Sequence, residues 1–95
     1  MLIQQKESGT RGMFYVEEKG ELLAELVYNL NKPGRIVIEH TEVGDSLRGM
    51  NVGLQLVTKA VEYAQQEDLK IIPHCPYARS VISKRPEWQQ LVVSS

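Results

Sequence analysis

Two side chains in this sequence have the chemistry for acyl or proton transfer, His40 and Cys75. The Cys75 sulfur would be a nucleophile as a thiolate, and a nearby imidazole or helix amino terminus would favour that form. The structural alternative is a buried inert thiol, because free cysteine is among the most buried residue types. His40 could act as a general base or as a hydrogen-bonded structural group. His74 precedes Cys75, but neighbouring side chains on an extended chain point apart.

A glycine-rich stretch, SLRGMNVG at residues 46–53, precedes the strongest helical pattern in the chain. Amide groups at a helix amino terminus favour an anion, and Arg48 could add a charge-assisted contact to phosphate. The stretch lacks the lysine with Ser or Thr of a P-loop and the three glycines of a dinucleotide fingerprint. A flexible start to the helix, with a solvated arginine, is the alternative interpretation.

The elements that must position these residues follow from periodicity. The amino-terminal part predicts strands separated by turns, with a polar loop at Glu7–Gly12; the expected strands are Leu2–Lys6 (an edge strand), Met13–Glu17, Leu22–Leu30 and Arg35–Thr41. Strict alternation along the last of these strands predicts that His40 shares a face with Ile36 and Ile38, and that Glu39 points the other way.

After Gly53 the period changes to that of a helix. Apolar residues recur at three- and four-residue steps and predict an amphipathic helix that ends near Glu67 or Asp68. Leu69–Pro73 is strand-like, so a parallel strand-helix-strand unit is expected. Pro76 suits the first turn of a further helix over Tyr77–Lys84. The predicted class is mixed α/β (α+β), with antiparallel amino-terminal strands, this parallel unit and a carboxyl-terminal helix.

Composition narrows the function classes. The 95 residues predict one domain, and the formal net charge of −1 offers no field that would recruit nucleic acid or an anionic membrane. A single cysteine forms no internal disulfide, and the amino-terminal residues lack a signal-peptide pattern. The apolar runs are too short for a membrane span. A cytoplasmic setting is therefore expected, and the spacing of histidines and carboxylates predicts no metal site.

The six residues 48–53, Arg-Gly-Met-Asn-Val-Gly, resemble the pyrophosphate loop of the GCN5-related N-acetyltransferases, whose pattern is Arg or Gln, two residues, Gly, any residue, then Gly or Ala. Residues 38–88 are similar, almost end to end, to the small single-domain branch of that superfamily. That branch pairs a His-Thr-x-Val strand end with a later Cys-Pro-Tyr type of segment. One departure is Asn51, which stands where the family usually has its middle glycine.

The resemblance implies an acyl-CoA-binding domain over residues 1–95 that transfers an acetyl group from acetyl-CoA to an amine. It assigns the CoA diphosphate to the loop and the pantetheine to the strand end near Ile38–Val43; the implied cofactor-binding residues are Thr41, Val43, Arg48, Gly49, Met50, Asn51, Val52 and Gly53. The acyl end would lie near His40 and Cys75, the implied catalytic residues. Glu39 and Glu42 are alternative bases that act through water.

Larger members of the superfamily wall the acceptor site with helices between their first two strands, and Glu7–Gly12 is too short for such helices. The open side is compatible with a protein, peptide or small-molecule amine, or with a homodimer that completes the site. Two other interpretations remain open, a non-catalytic CoA-binding or regulatory module and a protein-interaction domain without a ligand.

Overall fold

Five strands form one mixed sheet in the order β1-β2-β3-β4-β5, seen in a computed structural model that describes residues 1–94. The first three pairings are antiparallel and β4 pairs with β5 in parallel. The strands are β1 Gln4–Ser8, β2 Arg11–Glu18, β3 Glu21–Asn29, β4 Arg35–Val43 and β5 Lys70–Pro73. This topology confirms the predicted mixed class, with β1 as the edge strand.

Helix α1, Val52–Gln66, connects the two parallel strands. A short 3₁₀ turn, Asp45–Leu47, leads from β4 toward it. Helices α2, Pro76–Ser83, and α3, Pro86–Gln89, each begin at a proline, whose missing N–H costs nothing in the first turn. None of the helices in residues 1–94 has the length and apolarity needed to cross a membrane.

The apolar stripe of α1 packs on one face of the sheet and forms the core. The stripe consists of Val52, Leu56, Val57, Ala60, Val61 and Ala64, all buried. The sheet contributes Leu26 and Tyr28 from β3, with Ile36 and Ile38 from β4. The buried residues of α1 and of the sheet thus form one interface, which holds the start of α1 beside the end of β4.

The predicted polar loop at Glu7–Gly12 is wrong. Glu7 and Ser8 belong to β1, Arg11 and Gly12 belong to β2, and only Gly9 and Thr10 form the turn. The physical reason lies across the sheet, where the hydroxyls of Tyr28 and Tyr63 donate to Glu7 Oε1 at 2.6 and 2.7 Å. These contacts join the edge strand to β3 and α1.

Gly12 is a position where a side chain does not fit. A Cβ there would lie 2.5 Å from Tyr28 Oη and 2.7 Å from Glu7 Cγ, and the Tyr28 ring is fully buried. We expect Gly12→Ala to lower the free energy of unfolding by about 3 kcal/mol, measured by urea denaturation. In a Tyr28→Leu background, Gly12→Ala should lower the free energy of unfolding much less. An equal cost in both backgrounds would show that the ring is not the cause.

The two tyrosines that donate to Glu7 should make stability fall at alkaline pH. Burial, and then the hydrogen bond to Glu7, raise the pKa of Tyr63 from 10.0 to about 12, and the same causes raise the pKa of Tyr28. Because the unfolded chain loses the Tyr63 proton first as pH rises, the stabilisation from Tyr63 is complete below pH 10 and is lost between pH 10 and about 12. Urea denaturation across that window should show a fall that is smaller in Tyr63→Phe. An identical fall in this variant would contradict the assignment.

Candidate functional site

A β-bulge in β4 decides where His40 points. The β3–β4 register shifts by one residue, so Tyr28 lies opposite Ile38 but Val27 lies opposite His40, and Glu39 is the extra residue. The expectation that His40 shares a face with Ile36 and Ile38 is therefore wrong. The inserted residue reverses the alternation, and His40 lies on the face of the sheet away from α1.

On that open face, the imidazole of His40 lies beside Glu25 of β3. His40 Nε2 is 3.1 Å from Glu25 Oε2, and the imidazole side chain is 49% exposed. With the proton on Nε2, the ring donates to Glu25 and leaves Nδ1 as a free acceptor. Such a carboxylate partner orients the imidazole for proton transfer.

Glu39 and Glu42, the alternative bases, have different surroundings. Glu39 accepts hydrogen bonds from Asn29 Nδ2 at 2.6 Å and Arg11 Nη2 at 3.2 Å, so its carboxylate is already engaged. Glu42 is exposed and lies directly opposite Glu25 in the register. The side-chain ligand atoms of Glu25, His40 and Glu42 lie within 4.8 Å of one another. This group could not be recognised from spacing in the sequence, because its members lie on two different strands.

Cys75 is on the other side of β4. Its thiol is buried at the start of α2, where Sγ accepts from the Ala78 N–H at 3.5 Å and donates to Thr41 Oγ1 at 3.6 Å. Thr41 is paired with the buried Leu26 and so faces the core. The structure brings Cys75 to Thr41 and places His40 and Cys75 on opposite faces of β4.

The loop before α1 contains two residues in the left-handed region of the backbone map. Gly49 has φ 80°, and Asn51, in place of the middle glycine, has φ 57° and ψ 30°. Asparagine adopts this left-handed conformation more readily than most residues that carry a side chain. Asn51 therefore reproduces the backbone that a glycine would provide.

Five amide groups around Asn51 are left without an acceptor. In residues 1–94, none of these N–H groups, which are those of Gly49, Asn51, Val52, Gly53 and Leu54, donates a hydrogen bond to a backbone or side-chain acceptor. The neighbouring amides of Arg48 and Met50 are bonded within the preceding turn. A row of free donors at the positive end of a 15-residue helix has the chemistry to bind an anion.

Four of these five residues, all but Leu54, line a cleft of about 400 Å³ between the end of β4 and the starts of α1 and α2. The cleft is lined by Thr41, Val43, Leu47, Arg48, Gly49, Asn51, Val52, Gly53 and Tyr77. The structure thus gathers every predicted cofactor-binding residue except Met50, whose side chain is half exposed outside the lining. Leu47 and Tyr77 were not among the predicted cofactor-binding residues, because neither lies within the six-residue pattern at 48–53.

Arg48 and the end of β4 supply further polar groups beside the cleft. Arg48 Nε lies 2.9 Å from Asp45 Oδ1, and both side chains are largely exposed. The parallel ladder ends at Ile38, whose carbonyl accepts from the amides of His74 and Cys75 at 3.0 and 3.1 Å. Strand β4 continues to Val43 without a β5 partner, which leaves an open strand edge along the cleft.

Comparison with known proteins gives a consistent result. A family model described as GCN5-related N-acetyl-transferase matches residues 13–91. The solution structure of a GCN5-like protein from Staphylococcus aureus superposes with a TM-score of 0.71 at 29% identity, covering 97% of this chain and 89% of that one. A ribosomal-protein-alanine N-acetyltransferase from Brucella melitensis superposes with a TM-score of 0.61 over 90% of this chain and 64% of that one; at 16% identity this shows a shared fold.

Among curated proteins, Protein NATD1 of Xenopus tropicalis is 31% identical over 68 residues, which are 72% of this chain and 62% of that protein. Human Protein NATD1 is 36% identical over 58 residues, which are 60% of this chain and 51% of that protein. The chain therefore spans between about half and three fifths of the length of these relatives.

Proposed function

The chain belongs to the GCN5-related N-acetyltransferase family, and on that premise we propose that it binds acetyl-CoA and transfers the acetyl group to an amine. The proposal treats residues 1–95 as one acyl-CoA-binding domain. The observation that carries it is the set of five free amides around Asn51, beside a cleft that four of these residues line together with Thr41 and Val43 of β4.

The diphosphate of CoA would bind at the start of α1. Its oxygens can accept from the free amides, and the helix dipole adds to the attraction. Arg48 can exchange its exposed contact with Asp45 for a charge-assisted bond to phosphate. Asn51 keeps the amides oriented because its backbone already has the left-handed conformation.

The pantetheine would lie along β4. Its two amides can pair with the strand backbone beyond Ile38, where β5 has ended. Thr41 and Val43, which line the cleft, would contact this arm. The acetyl group would then lie near the β-bulge, within reach of the groups on the open face.

His40 is the proposed base. An ammonium acceptor gives one proton to His40 Nδ1, while Nε2–H stays bonded to Glu25. The amine nitrogen forms its bond to the acetyl carbon as the carbon–sulfur bond breaks. The sulfur leaves as a thiolate and takes up the second proton of the amine, so the products are the amide, free CoA and one proton that His40 releases to solvent.

Cys75 remains the predicted nucleophile of an alternative two-step route through an enzyme thioester. The geometry favours direct transfer, because the Cys75 thiol is buried on the face of β4 away from His40. A non-catalytic CoA-binding module is the second candidate. It is favoured by the two-residue turn between β1 and β2, which leaves the acceptor side without the helical wall of larger relatives.

Calorimetric titration with acetyl-CoA tests the proposal. We expect saturable binding that weakens about fivefold in Arg48→Ala, the size of one exposed charge-assisted contact. Lys59→Ala is the matched control, because Lys59 is an exposed cation further along α1. Equal losses in the two variants would point to net charge as the cause. An absence of binding to folded wild-type protein would overturn the proposed function.

A further inference from the structure

We infer that Tyr77 binds the diphosphate of CoA: its hydroxyl donates to a phosphate oxygen, and its ring closes one side of the phosphate site. The inference rests on the proposed function and adds a residue to that site. Tyr77 lines the cleft at the start of α1, and its side chain is 44% exposed. In residues 1–94 its hydroxyl forms no hydrogen bond, so the group is free to bind a ligand.

The Tyr77 ring packs against Gly53 in the first turn of α1. A Cβ at Gly53 would lie 2.7 Å from Tyr77 Oη and 2.9 Å from Tyr77 Cζ. The backbone of Gly53 is helical and its φ is outside the left-handed region, so its conformation does not require glycine. Alanine is also the better helix former. The close approach of Tyr77 is therefore the feature that excludes a side chain at this position.

This contact places the hydroxyl beside the free amides. The N–H of Gly53 is one of the five free donors, and the adjacent residues Val52 and Leu54 contribute two more. Val52 and Gly53 are buried residues, and amides of buried residues that lack a protein acceptor usually bond to water or to a ligand. Backbone donors and the tyrosine hydroxyl thus lie in one part of the cleft, where an anion with several oxygens can accept from both.

The end of β4 holds the start of α2, and with it the backbone of Tyr77. The Cys75 amide donates to the Ile38 carbonyl at 3.1 Å, and Cys75 Sγ accepts from the Ala78 N–H at 3.5 Å. Ala78 is fully buried. Tyr77 lies between these two fixed residues, and its exposed side chain extends to Gly53. A ring that is in place before the ligand binds loses less conformational freedom on binding.

A neutral donor suits the charge of this cleft. Among the described residues that line it, Arg48 alone carries a charge, and its guanidinium is 2.9 Å from a carboxylate oxygen of Asp45. A hydrogen bond to a charged group is stronger than one between neutral groups, so a hydroxyl can strengthen phosphate binding without a second cation. Tyr77 therefore supplements Arg48 and the amides.

Tyr77→Phe tests the hydroxyl, because it removes the oxygen and keeps the ring. We expect it to weaken acetyl-CoA binding about tenfold in calorimetry. Inorganic pyrophosphate, titrated into ¹⁵N-labelled protein, should lose affinity by the same factor, because this probe carries the phosphates without adenosine or pantetheine. Tyr15→Phe is the matched control, since Tyr15 pairs with Glu25 on the open face of the sheet. It should change neither affinity.

Gly53→Ala tests the packing of the ring. The added methyl group should displace the exposed Tyr77 side chain and lower the affinity for acetyl-CoA about tenfold, while the melting temperature stays at or above that of the wild type. In a Tyr77→Ala background, Gly53→Ala should change the affinity by less than about twofold. The comparison separates displacement of Tyr77 from a direct clash between the methyl group and the ligand.

Four results would overturn the inference: unchanged acetyl-CoA affinity in Tyr77→Phe, a loss for acetyl-CoA without one for pyrophosphate, no pyrophosphate shifts at the start of α1 in the wild type, or equal losses from Gly53→Ala in both backgrounds. A lower kcat with unchanged affinity in Tyr77→Phe would also overturn it, because the hydroxyl would then act in the transfer step.

The proposed function fails separately. An absence of acetyl-CoA binding to the folded wild type would reject that function, and pyrophosphate binding that still depends on the Tyr77 hydroxyl would then leave an anion site of another kind. Acetyl-CoA binding that is indifferent to Tyr77 would reject only the role of Tyr77.

Discussion

Replacing His40 by alanine should lower the rate of acetyl transfer by about 10²- to 10⁴-fold, the usual contribution of a general base. The measurement is release of free CoA thiol with Nα-acetyl-lysinamide as acceptor. His40 lies on the open face of β4 and contributes nothing to the lining of the proposed CoA cleft at the start of α1. The affinity for acetyl-CoA should therefore stay within about twofold of the wild type, which separates a catalytic loss from a binding loss.

Two further variants control this experiment. Glu25→Gln should reduce the rate about tenfold, because the imidazole loses the carboxylate that orients it. Cys75→Ser should keep most of the activity if transfer is direct, since the hydroxyl can replace the contacts of Sγ with Thr41 and Ala78. Full activity in His40→Ala together with acetylated Cys75 in intact-mass spectra would contradict the direct route and establish the two-step one.

Asn51→Asp should weaken the binding of acetyl-CoA by about 30- to 100-fold, measured by calorimetry. The substitution changes one atom type and keeps a residue that tolerates the left-handed conformation. It places a negative charge among the free amides, where it repels the diphosphate and competes for the same donors. The stability of α1 should not fall, because aspartate is favoured at a helix start.

Asn51→Gly is the matched control. It restores the glycine of the family pattern, keeps the backbone conformation and adds no charge. We expect its affinity for acetyl-CoA to equal or exceed that of the wild type. If Asn51→Gly lost as much affinity as Asn51→Asp, the asparagine side chain itself would be a required ligand contact, and the account of Asn51 as a stand-in for glycine would be wrong.

Periodicity predicted the part of the fold that forms the cleft at the start of α1. The change from alternation to a helical period after Gly53 marks α1, and the proline at 76 marks the start of α2. Parallel pairing of β4 with β5 followed from the helix between them. The loop residues were recognisable because the phosphate-binding pattern is continuous in sequence.

The surroundings of His40, the proposed base, could not be predicted in the same way. The bulge at Glu39 is visible only in the pairing of β4 with β3, since a single extra residue leaves the β4 sequence looking like an ordinary strand. It moves His40 to the open face and beside Glu25, which is 15 positions away in sequence. Likewise, Glu7 seemed to belong to a polar loop because β1 is exposed along its whole length.

The most direct test of the central claim is an amide chemical-shift titration of the ¹⁵N-labelled protein with acetyl-CoA. A hydrogen bond to phosphate moves an amide resonance strongly, so the account predicts the largest shifts at the free donors of Gly49, Asn51, Val52, Gly53 and Leu54. Smaller shifts should follow along Thr41 and Val43. Saturable binding whose largest shifts lie on another surface, or no binding at all, would contradict the account.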